Sequence, residues 1–272
     1  MMTLIWLRVA LVCYAAGLLY ALVALTRTSE LLSKIALHAS YLGMVFHFVS
    51  LTEAVVQTGQ LASASVHNAE SLLAFLIMVV FMIAYLVYKT TTPGIVIFPL
   101  VFLLTFVAAT GQQPLVFTSV AAKHGWLAVH ILMIFTGYAA LFLSFGASIL
   151  YLMQERALKA KNSSGVFSRL PALQVIDDIG FKSLLIGFPF MTLGLLAGSV
   201  VAESTYGRID FFDPKILLSV LMWAVYLLMV FTRLNAGWRG RRAALLASVA
   251  FVAAIVAWIS NYFSGMHRFI AS

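Results

Sequence analysis

Charge is what this sequence has least of. Asp, Glu, Lys and Arg make up only 10% of its 272 residues, against about 25% in a soluble globular domain. That stock is too small to clothe a water-facing surface. Cysteine is nearly absent as well. Cys13 is the single thiol, which excludes an internal disulfide framework, a CxxC redox pair and a CxxCH covalent-haem motif. The P-loop, the GxGxxG fingerprint and the HExxH zinc motif are all missing, which argues against nucleotide-driven work and peptide hydrolysis. Acidic residues do not gather around the six histidines, which argues against a hard-cation site. No repeat of a spanning unit stands out, so an inverted-repeat transporter is not signalled.

What fills the space is apolar. Hydrophobic residues make up 63% and the mean hydropathy is +1.03. In hydrocarbon, only helices or a closed barrel satisfy every backbone N–H and C=O. The apolar stretches here run without alternation, which selects helices. Eight stretches approach or exceed spanning length: 4–25, 35–55, 72–88, 95–109, 126–153, 183–202, 216–232 and 244–263. The fourth is short and contains Pro99. The first has Arg8 as its only nearby charge and outruns a typical signal-peptide core, so it reads as a retained membrane helix. The prediction is an all-α integral membrane protein, one polytopic domain over 1–272, built as a bundle of about eight transmembrane helices.

The basic residues orient it. With the N-terminus outside, the inner loops and helix ends carry Arg27, Lys34, Lys89, Arg156, Lys159, Lys161, Arg169, Lys182, Arg233, Arg239, Arg241 and Arg242. The outer side keeps Arg8, Lys123, Arg208, Lys215 and Arg268. Twelve of the 17 Lys and Arg therefore fall inside, and the positive-inside rule predicts both termini outside. The net charge of +8 then reflects membrane orientation; no long basic domain suggests nucleic-acid binding. The polar segment 154–180 is the largest inner piece and reads first as a solvated connector; its part from Leu170-Pro171 to Phe181 also suits an amphipathic stretch along the inner surface.

Polar groups inside such a chain carry the functional information. His130 stands near the outer end of the fifth span and His267 just past the outer end of the eighth. At one depth on one side, two packed helices are able to aim both imidazoles at a single iron from opposite faces of a porphyrin. Either one also suits a hydrogen-bonded interfacial role. His47 lies deep in the second span, as a second haem ligand, a proton relay or a histidine bonded to a neighbouring helix. His38, nine residues before it, faces the opposite side. His67, with Asn68 and Glu70, suits a cap at the start of the third span. His124 reads as interfacial. Trp126, Tyr206, Phe211, Phe212, Tyr262 and Phe263 collect at the outer side, as an interfacial belt or as a floor for a flat apolar disc. Arg208, Lys215 and Arg268 are the outer cations available to propionates.

Several segments carry a family resemblance. From Leu127 the chain reads LAVHILMIFTGYAALFLSFGASILYLMQE, then LPALQVIDDIGFKSLLIGFPFMTLGLLAG, YGRIDFFDPK, WAVYLLMVFTRLNAGWRGRRAALLA and NYFSGMHRF, preceded by HNAESLLAF at 67–75. In that order and spacing it resembles the CcsA/HemX/YpjD group of the cytochrome c assembly protein family over 35–272. The resemblance implies haem handled at the outer face, cradled by a tryptophan-rich loop ending in Asp-Pro-Lys and ligated by two flanking histidines. Those histidines fall on His130 and His267, and the loop on 206–215, with Asp213, Pro214 and Lys215 retained. Tyr206, Asp210 and Phe212 replace the expected tryptophans. Phe231, two residues before Arg233, replaces a membrane histidine. These departures resemble the compact HemX/YpjD-like branch.

The function expected from these residues is haem handling in cytochrome c assembly at the bacterial inner membrane. A b-type, non-covalent haem is held between His130 and His267 and passed to an apocytochrome or a second membrane assembly subunit. Both bond-forming thiols come from the acceptor. The chain is then no enzyme on its own, at most a component of a cytochrome c haem lyase. The alternative is a HemX-like non-enzymatic regulator of haem supply, whose basic inner loop binds a soluble cytoplasmic enzyme of haem synthesis. A transporter using Glu53, His47 and Lys182 ranks third.

Overall fold

The computed structural model describes residues 2–27, 29–58, 66–111, 125–161, 170–206, 212 and 214–259. Among these, every regular element is a helix: α1 Met2–Arg27, α2 Glu30–Thr58, α3 Val66–Tyr88, α4 Gly94–Thr110, α5 Trp126–Lys159, α6 Leu173–Tyr206, α7 Pro214–Leu234 and α8 Arg241–Ile259. Six of them are long and apolar enough to cross a membrane, and the chain is an integral membrane protein. The 17 residues of α4 rise about 26 Å, slightly less than a hydrocarbon core of roughly 30 Å. Pro99 sits inside this helix and removes one backbone donor from it.

The helices alternate in direction, and hydrogen bonds between their ends show it. Ser50 near the end of α2 donates to the Thr3 carbonyl at the start of α1. His67 at the start of α3 donates to Val107 O near the end of α4. At the opposite end of the bundle, Gln154 on α5 donates to Pro171 O just before α6, and Tyr88, the last residue of α3, donates to Asp178 on α6. Arg27, Lys34, Lys89, Arg156, Lys159, Lys182, Arg233 and Arg241 all stand at or near helix termini on this second side. It is called the basic end below, and the other the far end.

Two cores share α5 as their spine. One joins α3, α4, α5 and α6 through Ile77, Met78, Phe81, Ile97, Leu143, Ile176 and Ile179, with Phe81 and Phe98 edge to face at 5.2 Å. The other joins α5 to α6, α7 and α8 through Leu141, Leu184, Met191, Met222, Tyr226 and Ala247. In lipid, close packing rather than water exclusion holds helices together, so small residues mark the contacts. A Cβ on Gly43 would lie 2.8 Å from the Tyr14 ring, and one on Gly137 would lie 3.3 Å from the Met191 backbone. Those positions let α1 approach α2 and α5 approach α6.

Two adjacent aspartates tie the basic end together. Asp178 accepts from Tyr88 at 2.8 Å and pairs with Lys182 at 2.8 Å, joining α6 to α3. Asp177 pairs with Arg233 of α7 and accepts the Gly240 N–H at 3.1 Å. Arg233 also donates to Trp238 O at 2.9 Å and lies over the Phe181 ring. The stretch from 170 to 181 therefore does not lie along the inner surface, the second of the two forms open to it. From Leu173 on it forms the first turns of α6, with Ile176 and Ile179 buried. Its apolar face has a better partner in α3 and α5 than in a membrane surface, and nothing between Leu173 and Ser183 breaks the helix.

Candidate functional site

At the far end, α5 lays His130 onto α6. The ring covers the glycine at 198, where a Cβ would stand 2.7 Å from both Nδ1 and Cε1. Nδ1 donates to the Gly194 carbonyl at 2.7 Å. A carbonyl oxygen only accepts, so Nδ1 carries the proton and, in the neutral ring, Nε2 carries the lone pair. That is the tautomer an Nε2 metal ligand needs, held by the kind of backbone contact that orients metal-binding histidines. Iron chemistry therefore fits this side chain. The ring is half-buried, one helical turn from Trp126, which is itself exposed.

The two helix ends that flank the segment matched to the haem loop stand on the same end of the bundle as this histidine. Tyr206 closes α6, eight residues and about 12 Å of helical rise past Gly198. Phe212 follows, highly exposed at 87%. Pro214 and Lys215 open α7. The remaining expected site residues, Arg208, Phe211, Asp213, His267 and Arg268, lie outside the described residues, as do Asp210, His124, Tyr262 and Phe263. The structure thus brings His130 to the end where α6 closes and α7 opens. The α8 helix reaches the same end along α5, with Phe251 stacked on Phe145 at 3.6 Å.

His47 occupies a different place. It is fully buried between α1 and α3, and its two ring nitrogens are hydrogen-bonded to the Ser71 hydroxyl at 2.8 Å and the Tyr14 hydroxyl at 3.4 Å. Tyr14 and Phe75 meet its ring edge to face. The arrangement is a polar knot that fixes the register of three helices, and it shares no contact with His130. Replacing Ser71 by alanine strands a buried nitrogen at a cost of about 1–3 kcal/mol. Thermal unfolding in detergent should show a lower midpoint, and an unchanged midpoint would rule the knot out as a stabilising element. Phe231, at the family's membrane-histidine position, is exposed on the outer face of α7.

Other polar candidates are engaged locally. His38 is exposed and bonds Lys34 O at 2.6 Å, on the side of α2 away from His47 as expected. His67 stands in the first turn of α3, and its Nδ1 bonds across to Val107 O at 3.2 Å. The same Nδ1 lies 3.6 Å from the Glu70 carboxylate, three residues on. Glu53 accepts from Gln57 at 3.0 Å near the far end of α2, whereas Lys182 pairs with Asp178 near the basic end of α6. With His47 sealed between α1 and α3, these three do not line one path. A cleft among α5 to α8, lined by Ser144, Ser148, Tyr151, Thr232 and Arg233, opens near the basic end. Sequence reading missed its Asp177–Arg233 pair, although the run of two aspartates in an apolar segment was the available signal.

Known proteins are similar to this chain over half of its length or more. A CcsA cytochrome c biogenesis protein of Prochlorococcus marinus (strain MIT 9215) is 28% identical over 165 residues, covering 54% of this chain and 53% of the relative. One from Parasynechococcus marenigrum (strain WH8102) is 31% identical over 160 residues, covering 51% and 52%. One from Guillardia theta is 27% identical over 226 residues, covering 74% of each. The chain spans about half the length of the first two relatives. These matches give no support to the HemX-like alternative. A family model described as Cytochrome C assembly protein matches residues 7–267, and the chain belongs to that family.

Proposed function

We propose that this protein handles haem during cytochrome c assembly, holding the iron between His130 and His267 at the far end of the bundle and presenting it to an apocytochrome or a second membrane assembly subunit. The observation that carries this reading is the His130 contact: Nδ1 is committed to Gly194 O at 2.7 Å, which makes Nε2 the lone-pair nitrogen. The direction of α8 supports the second ligand. It runs along α5 toward the far end and is last described at Ile259, eight residues before His267. Lys215, at the start of α7 on this end, is a cation available to propionates. Haem is the cargo here and brings the vinyl groups that form the bonds. The chain's part is to hold and orient it. Cys13 lies in α1, so the thiols come from the acceptor. The basic end faces the cytoplasm of a bacterial inner membrane by the positive-inside rule, which puts this site outside.

Haem titration of the detergent-purified protein tests the reading. Wild type should develop the Soret band of a six-coordinate, bis-imidazole haem. His130→Ala and His267→Ala should each lose the low-spin signature, and the double variant should retain little haem. A spectrum unchanged by both substitutions would remove the proposal.

A further inference from the structure

We infer that Gly198 is a positioning residue for His130: the missing side chain at 198, together with the carbonyl of Gly194, sets both the plane and the tautomer of the imidazole that takes the iron. The inference rests on the proposed haem role of His130 and adds a requirement on α6.

In an α-helix the carbonyl of residue 194 points along the axis toward residue 198. A donor from another helix reaches the second lone pair of that oxygen only by passing over the place where the 198 side chain begins. Here the donor does so. His130 Nδ1 lies 2.7 Å from Gly194 O, and a Cβ at 198 would stand 2.7 Å from Nδ1 and Cε1 and 3.6 Å from Nε2. Any residue larger than glycine therefore occupies the ring's own seat. Gly194 contributes separately. A Cβ there would meet Ile134, one turn from His130 on α5, at 2.7 Å from its side chain and 2.9 Å from its backbone N. The two glycines, one turn apart on one face of α6, do different work. Gly194 sets the distance between the helices, and Gly198 makes room for the imidazole.

The distinction matters for the test. At 198 the obstructed group is the far end of a side chain, so Gly198→Ala turns the ring away while the helices stay packed. The Nδ1–H contact to Gly194 O is then lost, Nε2 is no longer fixed as the lone-pair nitrogen, and the ligand is less basic.

Two measurements on the full chain in detergent read this out. The first uses no haem. Nitrogen-15 NMR of histidine-labelled protein, with the His130 signals assigned by their loss in His130→Ala, should show the Nδ1–H tautomer in wild type and its loss in Gly198→Ala. The second is haem titration and redox titration. Gly198→Ala should weaken haem retention by roughly 10- to 100-fold, the range seen when second partners of metal ligands are removed, and raise the reduction potential. Leu196→Ala, on the exposed side of the same turn, should change neither. A folded Gly198→Ala with wild-type tautomer and haem affinity overturns the inference while leaving the haem role of His130 standing. A His130→Ala protein with an unaltered haem spectrum removes the haem role instead. An Nε2–H tautomer in wild type overturns the inference even if Gly198→Ala does not fold.

Discussion

Asp177→Ala should lower the unfolding midpoint of the detergent-solubilised protein by roughly 6–12 °C, corresponding to a loss of about 3 kcal/mol. Three features make this one carboxylate expensive to remove. Its partner Arg233 has only 8% of its side chain exposed, so the substitution leaves a nearly buried guanidinium without its counter-ion. The same carboxylate accepts the Gly240 N–H at 3.1 Å, and that donor loses its acceptor at a turn where Gly240 has φ +60°. Arg233 also holds Trp238 O, so the connection between α7 and α8 depends on both members of the pair. The cost belongs mainly to the stranded charge, not to a net gain from the pair. The double variant Asp177→Ala with Arg233→Met should therefore recover much of the loss. A double variant whose destabilisation equals the sum of the two single ones would show that the groups are not coupled and would sink this account of the basic end.

Gly194→Val should have an effect of similar size by a different route. The first added atom would stand 2.9 Å from the backbone N of Ile134 and 2.7 Å from two of its side-chain carbons. A side chain swings aside, but the α5 backbone is held by its own helix and moves only as a body. The pair α5 and α6 is the most extensively packed in the bundle, and Gly137 and Gly187 repeat the close approach along the same contact. Prying the pair apart at one end forfeits dispersion contacts over several turns, and in lipid these contacts are the main source of helix association. Overpacking costs about 1–3 kcal/mol, occasionally more, and the rigidity of both partners puts Gly194 at the upper end. The expected result is low yield of monodisperse protein and a clearly depressed midpoint. A Gly194→Val protein that purifies and melts like wild type would mean that the helices do not meet this closely.

The helices were legible because their cause is local. Long uninterrupted apolar runs in lipid have one backbone solution, so each of the eight stretches read from hydropathy is helical over its described residues. Their lengths were less legible. The fifth and sixth elements extend to 34 residues each, well beyond their apolar parts, because polar ends such as Gln154 and Asp177 find partners on neighbouring segments that hydropathy does not report. Facing was legible where it follows from helical geometry: His38 and His47 do point to opposite sides of α2. The destination of His47 was not, since Ser71 and Tyr14 are 24 and 33 residues away. Depth near the outer end of a span singled out His130, and the family resemblance pointed to the 206–215 segment. It gave no hint of Gly194 and Gly198, which look like any small residues in a spanning helix.

By itself the sequence determined that the chain is a helical membrane protein, its family, and the end at which positive charge collects. These follow from composition, hydropathy and ordered motifs, which are properties of the chain read along its length. Only the tertiary structure decided which glycines carry a neighbour's backbone and which carry an imidazole, and that adjacent aspartates hold opposite halves of the bundle. It also set the Gly194 carbonyl 2.7 Å from Nδ1 of His130. Those outcomes depend on distances of about 3 Å between residues tens of positions apart, and such distances are set by how helices pack, not by the order of residues along any one of them.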